Sequence, residues 1–173
     1  MKHTTNFLAG LGLAALPSAT LLLYQEVVKR KALESFAQLS AGNYEHALQQ
    51  MAPEFDHFFS GTHALGGRRH SPDTMRRWFE RLYRINQTLR FEIQDISVSG
   101  APWNTAIVIE WVDRARLADS NDAYVNQGVH FIRMRWGKVV SLHAYLDTQV
   151  WRDACERMAR AGVSEAVAAP IVD

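Results

Sequence analysis

After Asn86 the apolar residues stop recurring every three or four places and begin to alternate, and they go on alternating as far as Leu146. Three turn signals interrupt them: Gly100-Ala101-Pro102, Asp119-Ser120-Asn121-Asp122 and Trp136-Gly137-Lys138. The spacing predicts four antiparallel strands of about 10–14 residues each, where about 5–6 is usual. Strands of that length have to curl or bulge, so a strongly bent sheet is expected.

What precedes this run is mostly helical in period. Val28, Ala32, Phe36 and Leu39 mark a first helix ending at Gly42, and Asn43 can cap a second that carries Ala47, Leu48 and Met51 and is closed by Pro53. An earlier strand, Phe55 to Ser60, joins the sheet. Ser71, Pro72 and Asp73 open a third helix with Met75, Trp78, Phe79 and Leu82 on one face, running to about Asn86. Asp147 and Thr148 can cap a closing helix with Val150, Trp151, Ala154 and Met158, ending before Gly162. At 173 residues and 47% hydrophobic, the chain has material for one packed domain and too little for a large two-domain enzyme. A net charge of +1 argues against a general polyanion binder, so no nucleic-acid partner is expected. The run Arg68, Arg69, Arg76, Arg77, Arg81 and Arg84 reads as a solvated face, with Glu80 spaced to pair with several of its members. Cys155 is the single cysteine, which excludes an internal disulfide and a cysteine-built zinc site.

The first residues pose a separate question. Phe7 to Tyr24 are eighteen residues without a charge, the lower end of the roughly 17–25 that cross a bilayer as a helix. Residues 1–24 are thus an apolar leader that reads as a membrane anchor, a signal peptide or an unstructured lead-in. Pro17 sits badly for cleavage after Ala19. As an anchor, the segment would keep the domain in the cytoplasm, because Lys29-Arg30-Lys31 follows it.

The order ααβαββββα resembles that of the nuclear transport factor 2-like superfamily, and especially its SnoaL-like branch. The likeness spans roughly residues 25–150. It rests on Leu39-Ser40-Ala41-Gly42-Asn43-Tyr44, on Met51-Ala52-Pro53-Glu54-Phe55, and on the hairpin Arg135-Trp136-Gly137-Lys138-Val139 leading to Tyr145-Leu146-Asp147. It implies an α+β cone: a strongly curved antiparallel sheet rolled against three helices, with a C-terminal helix. The SnoaL-like domain would span 25–162 and leave 163–173 as a tail. A homodimer through the outer sheet face is implied as well. The superfamily holds ketosteroid isomerases, polyketide cyclases, limonene epoxide hydrolases and binding modules without catalysis, so the fold names no reaction.

Side chains alternate across a sheet, so each strand's apolar set identifies its inner face. Ile107, Ile109 and Trp111 carry Asp113 inward with them, and Ile132 with Met134 carries His130 inward. A two-residue Ser120-Asn121 loop would set Trp111 opposite His130 and Asp113 opposite Gly128, making Asp113 and His130 diagonal neighbours about 7 Å apart. A three-residue loop at Trp136-Gly137-Lys138 would set His130 opposite Ala144, with Val140, Leu142, Ala144 and Leu146 inward. On the first strand Phe55, His57 and Phe59 share the inward parity.

A carboxylate beside an imidazole holds its tautomer and raises its basicity, so the catalytic candidates are His130 as base and Asp113 as its orienting partner. Trp111, His57, His63, Trp78, Leu142 and Ala144 are the candidate ligand-binding residues. The resemblance adds a contrast. Asp113 matches the first Asp of the limonene epoxide hydrolase group, but Trp111 and Ala144 stand where that group has its Arg and second Asp. In ketosteroid isomerases the base lies in the loop after the first strand, where this chain offers His63. No two histidines are four apart on a helix, so neither metal nor cofactor is expected. Two functions follow: an isomerase, cyclase or hydrolase acting on a small apolar or aromatic molecule, or a binding or scaffold module; a third reading has residues 7–24 place the domain at a membrane.

Overall fold

The computed structural model describes residues 18–119 and 123–173. Four helices pack with one six-stranded sheet: α1 (Ser18–Ser40), α2 (Tyr44–Gln50), β1 (Met51–Phe59), β2 (Gly67–Arg69), α3 (Pro72–Ile85), β3 (Arg90–Ala101), β4 (Asn104–Arg116), β5 (Ala123–Arg135), β6 (Lys138–Leu146) and α4 (Thr148–Arg160). The sheet order is β2-β1-β6-β5-β4-β3. All pairs are antiparallel except β1 with β6, so the sheet is mixed, and β2 is a short edge strand that no periodicity announced.

Local chemistry explains the helix ends. Ser71 accepts from the Thr74 amide with Pro72 in the first turn, and Asp147 accepts from Gln149 and Val150 at the start of α4. Gly42, at φ 81, ends α1. The Asn43 side chain leaves α2 uncapped and donates instead to Gln38 Oε1 at 2.8 Å. Pro53 lies inside β1, which begins at Met51, four residues earlier than the sequence indicated. Two arginines of α3 find carboxylates on other elements, Arg76 on Glu45 and Arg84 on Glu165, Arg76 pairing also with Asp73 of its own helix.

Residues 7–17 of the apolar leader lie outside the described residues. Residues 18–24 are helix continuous with the domain: Tyr24 OH lies 2.6 Å from Thr105 Oγ1. Among the described residues no helix is long and apolar enough to cross a membrane.

Two registers decide which groups meet. β4 and β5 pair Trp111 with Gly128, Asp113 with Asn126 and Ile109 with His130, a slip of two residues from the tight-hairpin expectation. The cause is α3. Its end draws the end of β4 aside, with Asn86 bridging Leu117 and the Ala118 amide donating to Ile85 carbonyl, so pairing stops at Arg116 and Ala123. Ser120 and Asn121 themselves lie outside the described residues. A slip of two preserves every inward and outward assignment but moves each partner. In β5–β6 the turn has two residues, Trp136 and Gly137, both at positive φ, pairing Arg135 with Lys138. A bulge between Arg133 and Met134 then sets His130 opposite Ala144, the expected partner reached by another route. Ahead of the bulge Val139, not Val140, is the buried residue.

Candidate functional site

Helix α1 lies across the sheet with Val28 and Phe36 buried, and α2 folds back beside it. Between these helices and the inner faces of β4, β5 and β6 is a cavity of about 440 Å³. Its walls are mainly apolar, among them Val28, Phe36, Met51, Ile107, Ile132 and Leu142. On the α1–α2 side Gln50 Nε2 donates to Ser35 Oγ at 2.9 Å and to His46 Nε2 at 2.6 Å, and Lys31 and Glu34 also line the cavity.

His130 is the polar group on the sheet side. Its ring packs edge-on to Phe36 with centroids 5.3 Å apart and tilts over Trp111 at 5.4 Å. Burial pushes its pKa down to about 4, so the imidazole is neutral near neutral pH. Nδ1 is buried without a hydrogen-bond partner, and the residue lines the cavity.

The structure brings some sequence candidates together and separates others. Leu142 lines the cavity with His130, and Trp111 backs the imidazole without lining the space. Asp113 is not beside His130. The register puts the Trp111–Gly128 pair between them, and the acid lies toward the other end of β4, opposite Asn126 and Phe91. Its carboxyl is buried, Oδ1 has no hydrogen-bond partner, and burial raises its pKa to about 6 against the lowering effect of backbone amides.

His57, Trp78 and His63 belong to a second buried cluster, between β1, β2 and α3. His57 Nδ1 accepts from Arg69 at 3.2 Å and its ring meets Trp78 at 4.8 Å; burial first, and then the Arg69 charge, hold it well below the ordinary histidine value. Arg69 is fully buried and donates to the carbonyls of Gly67, Leu65 and Gly66 while lying over the Trp78 ring. Trp78 donates to Leu65 carbonyl. His63 has both nitrogens engaged, Nε2 with Ser60 carbonyl at 2.9 Å and Nδ1 accepting from Trp151 Nε1 at 2.9 Å, and burial lowers it to about 4. None of the three lines the cavity, because β1 packs this part of its inner face onto α3; Ala144 is buried beneath the floor and does not line it either.

The sequence reading missed the helical wall: Tyr24, Lys31, Ser35, His46 and Gln50. Their signal was present, since 24, 28, 31, 35 and 39 follow a helical period, but that stripe reads equally as core. Among the described residues no three His, Cys, Asp or Glu are grouped to hold a metal ion.

The model of the SnoaL-like domain matches residues 32–142. The chain belongs to the SnoaL-like family. Solved structures carry the same fold. PrhC from Penicillium brasilianum superposes with a TM-score of 0.69 at 16% identity over 81% of this chain and 93% of that one. An NTF2-like protein of unknown function from Burkholderia pseudomallei gives 0.63 at 18% identity, over 70% and 91%. TerC co-crystallised with polyporic acid gives 0.60 at 18%, over 72% and 95%. No curated protein matches the sequence.

Proposed function

We propose that this SnoaL-like protein binds a small, largely apolar or aromatic molecule between α1 and the sheet, with the His130 imidazole hydrogen-bonded to the molecule's one buried polar atom. The observation that carries this reading is a neutral imidazole without a partner set in an apolar cavity wall. A cavity of about 440 Å³ falls within the range of roughly 300–1,000 Å³ typical of small-molecule sites. TerC, which shares the fold, is co-crystallised with polyporic acid, and this supports a small organic ligand.

Turnover by an isomerase, cyclase or hydrolase route is the second reading, with His130 accepting the proton. An imidazole whose pKa lies near 4 is a weak base at neutral pH, and among the described residues no carboxylate hydrogen-bonds to it, so binding is the stronger reading. Asp113 then has no part in the site.

2-Naphthol, which is flat and apolar with one hydroxyl, serves as a calorimetric probe. The His130→Ala variant is expected to bind it about tenfold more weakly, the loss of roughly one hydrogen bond. Leu142→Trp should fill the cavity and abolish binding, while Asp113→Asn binds as the wild type does. Unchanged affinity in His130→Ala would overturn the reading.

A further inference from the structure

Three elements meet at one end of the molecule: the first turns of α1, the tip of the β3–β4 hairpin and the tip of the β5–β6 hairpin. Gln25 donates to Gly100 carbonyl at 3.1 Å, the Trp136 amide donates to Pro102 carbonyl at 2.6 Å, and the rings of Trp103 and Trp136 lie 6.1 Å apart. The cavity opens at the same end, since Val27, Lys31 and Gly137 are both exposed and part of its lining.

The side chains here are not those a water-facing end requires. Leu22, Leu23 and Trp136 are 63%, 69% and 73% exposed. Trp136 occupies, at φ 50, the first position of a two-residue hairpin turn. Asn, Asp or Gly suits that conformation and a bulky residue is strained there. A strained and largely exposed tryptophan is not explained by the folding of this chain. Lys29, Arg30 and Lys31 on α1, with Arg135 and Lys138 at the β5–β6 turn, give this end five basic residues; Glu26 and Glu34 are the acidic residues on the same stretch of α1. The sequence leading into the exposed leucines, residues 7–17, carries no charge.

We infer that this end docks on an anionic lipid bilayer, and that the cavity takes its ligand, a lipid-soluble molecule, from that bilayer. Tryptophan is suited to the headgroup level, leucines to the acyl boundary and basic side chains to lipid phosphates. The supply of ligand from lipid rests on the cavity being the binding site; the docking does not.

The full chain is mixed with vesicles of phosphatidylcholine, with or without phosphatidylglycerol, whose acyl chains are brominated to quench nearby tryptophans. Docking predicts quenching that strengthens with phosphatidylglycerol, weakens in high salt, and is lost in the Trp103→Phe/Trp136→Phe double variant. Arg135→Gln should weaken binding about fivefold. Trp136→Asn, which relieves the turn, should raise the melting temperature while lowering vesicle affinity, an opposition that a purely structural role cannot produce. Vesicle binding through residues 7–17 with Trp103 and Trp136 unquenched would overturn the docking, as would capture by a protein partner with no affinity for vesicles. Naphthol binding without quenching sinks the docking alone, and quenching without naphthol binding sinks the cavity reading alone. If both hold, 2-naphthol preloaded in vesicles should reach the wild-type protein faster than the double variant; equal transfer would refute supply from the bilayer.

Discussion

Asp113 and Gly128 show how single positions shape the inner face. Gly128 faces Trp111 across β4–β5, and a Cβ there would come within 2.6 Å of the indole and 2.3 Å of Tyr145 carbonyl, so the glycine is the space in which Trp111 lies. The indole in turn separates Asp113 from His130. Left with a partnerless Oδ1, Asp113 holds its proton to about pH 6 in the folded chain, whereas an unfolded chain releases it near 3.8. Between those values the folded state binds more protons, so this residue's contribution to stability falls as pH rises, and its cost is complete above pH 6. Two pKa units correspond to about 3 kcal/mol at most. Asp113→Asn is therefore expected to stabilise the protein by about 1–3 kcal/mol at pH 8, less at pH 5, measured by urea unfolding at each pH. Destabilisation by Asp113→Asn at both pH values would mean that the carboxylate is held by favourable contacts. Alternation in the sequence was enough to turn Asp113, Trp111 and His130 inward, because parity survives a slip of two. It could not say which of them touch, since that depends on Asn86 capturing Leu117, a contact between elements that leaves no periodic mark.

The least legible element is the C-terminal segment, which sequence reading leaves as a tail and which forms a 3-10 turn at Ser164–Val167 before running on to Asp173. Val172 Cγ1 lies 2.6 Å from where a Cβ on Gly67 would be, Arg81 donates to Ala169 carbonyl at 2.8 Å, and the Asp173 carboxylate accepts from the His70 and Ser71 amides and from Ser71 Oγ at the start of α3. Burial raises the Asp173 pKa, but those hydrogen bonds outweigh it and bring the carboxyl down to about 2. Each hold is made to residues far away in the chain, so neither a period of two nor one of 3.6 betrays it. Removing residues 171–173 is expected to lower stability by about 1–2 kcal/mol, the usual scale for losing a helix cap with one apolar contact. A urea midpoint unchanged by the truncation would show that the strap lies on the domain without holding it. By contrast the four long strands and α3 were legible because each carries its own signal, a sustained alternation or a Ser-Pro-Asp start. The cavity was half legible: its sheet wall follows from parity, while its α1 wall looks like any core stripe.

At the scale of the molecule, the cone uses the inner face of its sheet and leaves an outer face to be covered or solvated. On that face Phe58 and Phe131 both pair with His143 across adjacent strands, and Tyr145 pairs with Val129 in the next row. Phe131 is 43% and Tyr145 49% exposed, while Phe58 packs against both His143 and Tyr145. Aromatic residues contiguous over three strands are more than the scattered apolar exposure of an ordinary surface. The pair Asp56–Arg68 lies beside the patch, and His143, which sits between Phe58 and Phe131, is held by Asp56. A homodimer through this face, which the family resemblance implies, would bury the patch against its own copy by two-fold symmetry. The expected outcome is a dimer in sedimentation velocity that becomes monomeric in the Phe131→Lys/Tyr145→Lys double variant with its cavity intact, since both side chains point away from it. Because the patch is self-complementary only as a whole, each single variant should weaken the dimer by more than tenfold without abolishing it, as for a central aromatic anchor. A wild-type chain that sediments as a monomer at all concentrations would leave the outer face for a different partner and remove the dimer from the account.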